Sequence, residues 1–300
     1  MPAKVAVIVN PVAGAFDRDD LRGRVQRAVD NAGIDATIEF PESPSEIEKL
    51  VSSALKDNPS VIVAGGGDGT ISAVASRLAG SETVLGILPL GTLNHFSKDL
   101  GIPQEINEAL DVVANGTVTE IDIGEVNGRY FINNSSIGLY PRIVRKREQQ
   151  QRLGRGKWWA AAWATWRMFV ISPFLKIRLD LNGNELRRKT PFVFVGNNDY
   201  DMDIYNIGRR ARLDDGNLSI YLLRRSGRFG LFLLILHTLL GRLQQLGDFE
   251  EFRAAKLSIA TRRKRMLVAL DGEVTVIETP LEYRIHPKKL KVMVPVPKER

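Results

Sequence analysis

The sequence predicts an α/β N-terminal domain built on a parallel sheet, followed by a β-rich antiparallel, sandwich-like C-terminal domain. Two observations carry this expectation. Over residues 1–117, short β-branched apolar runs alternate with segments of helical spacing, the pattern of a parallel sheet covered on both faces. From residue 118 onward, strand-like runs follow one another directly, and Asn127-Gly128 between two of them is a strong hairpin signal. The expected domains are therefore 1–117 and 118–300, with the last residues free to return to the first domain.

The elements follow in order. Residues 4–9 (Lys-Val-Ala-Val-Ile-Val) read as a buried strand, 18–32 as a helix ended by Gly33, and 36–40 as a second strand. Ser45 with Glu48 forms a capping box for a helix reaching Lys56. A strand at 61–64, a helix at 70–79, a strand at 84–88 and helices at about 94–100 and 104–114 complete the first half. In the second half, strands are expected at 118–126 and 129–135, then at 176–182 and 190–196 around Asn182-Gly183-Asn184. Further strands are expected at 217–224, 255–261, 265–271, 273–277 and 281–286, with helical insertions at about 155–171 and 228–246.

Composition narrows the chemistry. Three hundred residues without a cysteine exclude disulfides, zinc ribbons and thiol catalysis. Three scattered histidines, His95, His237 and His286, argue against a histidine-built metal site. The N-terminus runs straight into a strand pattern with no signal peptide, so a cytoplasmic protein is expected. The net charge of +7 is unevenly placed: Arg142 to Lys157 holds seven Lys/Arg and one Glu. Smaller basic groups lie at Arg224, Arg225 and Arg228 and at Arg262 to Arg265. Anionic membranes and nucleic acids both attract such patches. No stacking aromatics are spread along a basic groove, so a nucleic-acid partner is not expected.

The most informative stretch is Val61-Ile-Val-Ala-Gly-Gly-Gly-Asp-Gly-Thr70. A strand ends in a glycine cluster carrying one carboxylate, and a hydroxyl residue opens a helix. Gly65, Gly66, Gly67 and Gly69 let the backbone approach a ligand closely, and the first amides of the helix suit a phosphate. Asp68 beside a phosphate is repulsive unless a cation or a hydrogen-bond donor intervenes, and the turn is read as the centre of a nucleotide-phosphate and Mg²⁺ site. Two more turns of this kind follow strands: Asn10-Pro11-Val-Ala-Gly14 and Gly91-Thr92-Leu-Asn94. In a parallel sheet all three fall at the carboxyl edge, where ligands bind.

Taken in order, Asn10 to Gly14, Gly66-Gly-Asp-Gly-Thr70 and Gly91-Thr-Leu-Asn94 resemble the three nucleotide-site motifs of the diacylglycerol kinase catalytic family. The resemblance continues through Phe131-Ile-Asn133 with Gly138, Val195-Gly-Asn197, Leu213-Asp-Asp-Gly216 and Asp271-Gly-Glu273, and so spans nearly the whole chain. It implies an ATP- and Mg²⁺-dependent lipid kinase with its ATP cleft between the two domains. It also implies roles: Asn10, Pro11, Gly14, Gly65 to Thr70, Gly91, Thr92 and Asn94 at the nucleotide, Asp68 and Asp215 at the metal, and Asp271 as general base with Glu273 beside it. The leading acceptor is diacylglycerol, giving phosphatidate. A sphingoid base or ceramide is the alternative acceptor, and an NAD kinase or a non-catalytic lipid or nucleotide sensor is the alternative function. Two departures stand out: His95 occupies a position where many relatives carry Asp, and Asn197-Asn-Asp-Tyr-Asp-Met-Asp-Ile204 replaces a glycine-rich stretch. The residues alone leave Asp271-Gly272-Glu273 as either part of a strand, with both carboxylates on one face, or a turn.

All four tryptophans, Trp158, Trp159, Trp163 and Trp166, lie within nine residues just after the basic run 142–157. On a helix they occupy an arc of about 140°. Interfacial tryptophans next to basic residues describe a helix lying in an anionic membrane surface, the alternative being a face packed into the core of the second domain. The expected site of action is the inner face of the membrane, reached as a peripheral protein. The apolar segment 229–240 is too short to span a bilayer. A homodimer is compatible with the sequence.

Overall fold

The parallel sheet grows from the apolar run at 61–66. The structure, a computed structural model, describes residues 5–11, 18–138, 141, 174–200, 210, 212–223 and 249–297. Strand β3 (Val61–Gly66) is buried at every position, as expected for a central parallel strand covered on both faces. It pairs in parallel with β1 (Val5–Val9) on one side and β4 (Val84–Pro89) on the other, and β2 (Ala36–Glu39) pairs in parallel with β1. Helices α1 (Arg18–Asn31), α2 (Pro44–Ala54), α3 (Asp68–Leu78), α4 (His95–Asp99) and α5 (Ile106–Asn115) connect these strands and follow β4. Strand β5 (Thr117–Val126) leads out of this unit.

The capping box at Ser45 is not formed. Helix α2 starts earlier, with Ser43 as the flanking residue, Pro44 in the first turn, and no side-chain cap. Proline lacks an N–H and suits a helix's first position, which moves the start forward. Glu46 instead accepts the backbone N–H of Glu42 at 2.7 Å, and Glu48 pairs with Arg77 of α3.

The second half is antiparallel. Strands β8 (Leu175–Leu181), β13 (Lys256–Thr261) and the start of β16 (Leu281–Val294) pair side by side, with β9 (Asn184–Thr190) beyond β8. A second sheet runs in the order β12 (Phe249–Ala254), β11 (Leu218–Leu223), β10 (Phe192–Asn197), β7 (Asn134–Gly138), β14 (Arg265–Leu270), β15 (Glu273–Glu278). Their inner faces make one core: Ile177, Leu179, Leu257, Ile259 and Tyr283 come from the first sheet, and Ile137, Val193, Val195, Ile220 and Val268 from the second. This is the expected sandwich. Alternation is clear in β8, buried at Leu175, Ile177, Leu179 and Leu181 with lysine, arginine or aspartate between.

Four strands differ from expectation. The hairpin at Asn182-Gly183 joins β8 to β9, not to 190–196. The charged sequence of β9, Asn-Glu-Leu-Arg-Arg-Lys-Thr, conceals an edge strand with one well-exposed face. Strand β12 (Phe-Glu-Glu-Phe-Arg-Ala) is hidden for the same reason. The expected strand at 129–135 is split into β6 (Arg129–Phe131) and β7, interrupted at Ile132-Asn133. Strand β16 runs past His286-Pro287 to Val294, where Val292 pairs in parallel with Leu85 of β4.

By compactness, one unit comprises Met1–Ile123, Arg209–Asp215 and His286–Arg300, and the other Gly124–Gly208 and Gly216–Ile285. Gly14, the basic run 142–157, Trp158, Trp159, Trp163 and Trp166, Asp201 and Asp203, the basic group Arg224, Arg225 and Arg228, and the apolar segment 229–240 all lie outside the described residues.

Candidate active site

In the first unit, the turns after β1, β3 and β4 meet. The backbone N–H of Asn10 donates to Gly65 O at 2.8 Å, and that of Leu90 donates to Gly66 O at 2.9 Å. The Asn10 side chain donates through Nδ2 to Thr70 Oγ1 at 3.1 Å. Pro11 is buried beside it. The fit leaves no room for side chains: a Cβ on Gly66 would lie 2.5 Å from Thr70 Cβ, and one on Gly91 would lie 2.5 Å from Gly67 Cα. The two turns therefore touch main chain to main chain, which is why glycine stands at Gly91; a Cβ on Gly67 would make only an ordinary 3.5 Å contact with Gly91 Cα.

Asp68 opens α3, where a carboxylate is favoured by the helix dipole. Its side chain reaches across to the start of α4. There Oδ2 accepts from His95 N at 3.3 Å and Oδ1 accepts from Phe96 N at 3.2 Å. Asp68 thus caps a second helix, and each oxygen keeps capacity for another bond. Asn94 precedes that helix in the left-handed region, φ 50°. Its Nδ2 donates to Gly91 O and Gln104 Oε1, while its Oδ1 is buried without a hydrogen-bond partner. Thr92 and His95 are exposed, and Gly69 sits half-buried in the first turn of α3.

Asp215 belongs to this same unit, on a segment brought from far along the chain. Leu213 O accepts the backbone N–H of buried Asp122 at 2.8 Å. Arg212 clamps the acidic pair, at 3.0 Å to Asp214 and 3.3 Å to Asp215. The guanidinium hydrogen bond holds the Asp214 carboxyl below its ordinary range, against a smaller desolvation effect. Among the described residues no three His, Cys, Asp or Glu side chains form a metal cage.

In the second unit, Asp271 and Gly272 both have positive φ, 47° and 92°, and join β14 to β15 as a two-residue turn with Leu270 opposite Glu273. Of the two arrangements open to Asp271-Gly272-Glu273, the structure adopts the turn. The Asp271 carboxylate faces the break between β6 and β7. It accepts Ile132 N at 2.9 Å, Asn133 N at 2.8 Å and Asn134 N at 3.0 Å. Asn197, at the end of β10, holds the other side of this break: its Nδ2 donates to Ile132 O at 2.9 Å and its N–H to Asn133 O at 2.8 Å. Three consecutive amides drawn to one carboxylate explain why the expected strand 129–135 is broken. Glu273 is exposed on β15. In the sequence these places are marked only by the Phe131-Ile-Asn133 and Val195-Gly-Asn197 segments, with nothing to show that Asn197 and Asp271 hold the break.

Beyond the asparagine of β10, Asn198 is fully buried with φ 65°, and neither polar atom of its side chain has a hydrogen-bond partner. Asp199 places one oxygen 3.0 Å from Arg253 and buries the other.

Comparison with known proteins accounts for both units. The diacylglycerol kinase catalytic domain model matches residues 4–126, and the YegS C-terminal NAD kinase beta sandwich-like domain model matches residues 141–294. A curated diacylglycerol kinase from Staphylococcus aureus (strain JH9) is 28% identical over 232 residues, covering 75% of this chain and 72% of its own. The protein of that name from strain Newman gives the same figures. A crystal structure of a diacylglycerol kinase from Bacillus anthracis str. Sterne superposes with a TM-score of 0.74 at 24% identity, covering 97% of each chain, which shows a shared fold. No helix among the described residues is long and apolar enough to cross a membrane. The glycine turns, the Asp271 hairpin and the sandwich behind it are thus parts of one inherited design, and the chain belongs to the diacylglycerol kinase catalytic-domain family of lipid kinases.

Proposed function

We propose that the protein transfers the γ-phosphoryl group of ATP to a lipid hydroxyl, with diacylglycerol as acceptor and phosphatidate as product. The observation that carries the donor half is the cradle made by the contact of the β3 and β4 turns, where a side chain on Gly91 would collide with the Gly67 backbone and one on Gly66 with Thr70. Backbone amides at the start of α3 would hold phosphate oxygens there. Asn10 orients Thr70 beside them. The buried, unpartnered Oδ1 of Asn94 suits a nucleotide hydroxyl or amino donor.

The residues also fit Mg²⁺ carried on the nucleotide. Mg²⁺ commonly takes one or two carboxylates together with phosphate oxygens and water, not a cage of side chains. Asp68 and Asp215 would supply those carboxylates, and the ion would neutralise charge developing on the phosphates. For the acceptor half, Asp271 would orient the lipid hydroxyl and take its proton late, in a loose transition state that asks little of a base. The carboxylate is held by three amides, which fixes its direction. Glu273 would lie beside it. The Trp158 to Trp166 segment and the basic run before it would bring the enzyme to an anionic membrane.

The deciding experiment is transfer of labelled γ-phosphate from ATP to lipids in a total extract, with mass identification of the product. Labelled phosphatidate is the expected result. Phosphorylation of NAD with no lipid product would overturn the reading, and a labelled sphingoid base or ceramide would reassign the acceptor.

A further inference from the structure

Arg210 and Asp99 form an ion pair of unusual burial. Arg210 Nε lies 2.8 Å from Asp99 Oδ2, and the two side chains are 0% and 2% exposed. The Arg210 backbone N–H approaches the other carboxylate oxygen at 3.4 Å. The guanidinium carbon lies 5.8 Å from the centre of the Phe96 ring, itself fully buried. Asp99 ends α4, where a carboxylate opposes the helix dipole. Burying such a pair is costly, and apolar residues of similar size commonly do as well for stability. Its presence calls for a role in geometry.

The position of the pair supplies one. Helix α4 has a single turn, and it is gripped at both ends: Asp68 accepts its first two amides, and Arg210 pairs with its last residue. Arg210 lies five positions before Asp215, on the segment Arg209–Asp215 that joins the first unit from far along the chain. We propose that Arg210 is a positioning residue. Through Asp99 and α4 it sets where Asp215 stands relative to Asp68 and the glycine turn, and so sets metal affinity. This rests on the reading of Asp68 and Asp215 as the metal carboxylates.

The test compares wild type with Arg210→Met, Arg210→Lys, and the apolar double variant Asp99→Leu/Arg210→Met, which removes both charges and so avoids an orphaned one. Amide exchange is followed at residues 212–218 and, as a reference, in β3. Mn²⁺ binding in the presence of a non-hydrolysable ATP analogue is followed by electron paramagnetic resonance. Both variants lacking the pair are expected to exchange faster at 212–218 with β3 unchanged, and to need about tenfold more Mn²⁺ for half-saturation, the usual cost of losing a residue that orients a metal ligand. The lysine variant is expected to fall between them and wild type, and KM for lipid to stay within about twofold. A folded double variant with wild-type exchange and wild-type Mn²⁺ half-saturation overturns the proposal. Faster exchange at 212–218 with wild-type Mn²⁺ half-saturation would make the pair merely structural and likewise overturns the proposal; neither measurement needs turnover, so both decide the positioning role even for a chain that phosphorylated no lipid. Absence of lipid phosphorylation with Mn²⁺ binding intact counts against the proposed function alone.

Discussion

The Asp271 carboxylate accepts three consecutive amides while being the proposed base, so structure and chemistry make separable demands on one side chain. Asp271→Ala leaves those amides without their acceptor and is expected to lower stability by about 3 kcal/mol in urea denaturation. Asp271→Asn keeps one acceptor oxygen but no base. It is expected to cost about 1 kcal/mol of stability and at least about a hundredfold in kcat. Turnover by the asparagine variant within a few-fold of wild type would remove Asp271 from the chemistry and leave it as the clamp of the 132–134 break. The sequence shows an Asp-Gly turn in this place but not what it clamps. Ile132 lies 139 positions from Asp271, and no local pattern records that hydrogen bond.

At the level of elements, the glycine turns and the sheet core respond to different perturbations. Gly91→Ala sets a methyl against the Gly67 backbone, which cannot rotate away as a side chain could. The expected outcome is a loss of about 2 kcal/mol in thermal or urea unfolding, together with weakened nucleotide binding by calorimetry. Wild-type affinity would mean that the two turns do not form the cradle. In β11 and β16, burial raises two phenols, Tyr221 to about 12 and Tyr283 higher still. A nearby Glu251 adds to the effect at Tyr221, and the hydrogen bond with Ser135 opposes it at Tyr283. A phenol whose folded pKa exceeds its unfolded value contributes stability that is intact below the unfolded pKa and is lost as pH rises. Tyr221 therefore costs the fold about 2 kcal/mol between about pH 10 and pH 12. Denaturation series at pH 8 and 11 should show a smaller loss in Tyr221→Phe than in wild type. Equal losses would contradict the assignment. Helices, parallel strands and the hairpin turn were legible from periodicity and turn chemistry. The edge strands β9 and β12 were not, because charged edge positions erase the apolar alternation that reports a strand.

For the whole molecule, the prediction concerns how a protein without a spanning helix among its described residues meets a lipid substrate. The net charge of +7 and the tryptophan segment after the basic run define the expected contact. Trp158→Ala with Trp159→Ala should reduce sedimentation with anionic vesicles while leaving circular dichroism and melting unchanged, and binding should weaken further with salt. Unchanged sedimentation would reassign the tryptophans to the folded core.

The sequence by itself determined the order of strands and helices in the first half, the change from parallel to antiparallel sheet, the three glycine turns and the family. Each of these is written in local residue types: β-branched runs, helical spacing and glycines that a tight backbone requires. Tertiary structure alone decided what those turns hold. It put Asp68 on the amides of α4, Asp271 and Asn197 on opposite sides of one strand break, and Arg210 on Asp99 from 111 positions away. It also carried β16 from the sandwich back to pair with β4. The physical reason is that a hydrogen bond or ion pair between distant residues leaves no periodicity behind. Its partners become identifiable only once folding has excluded water from between them.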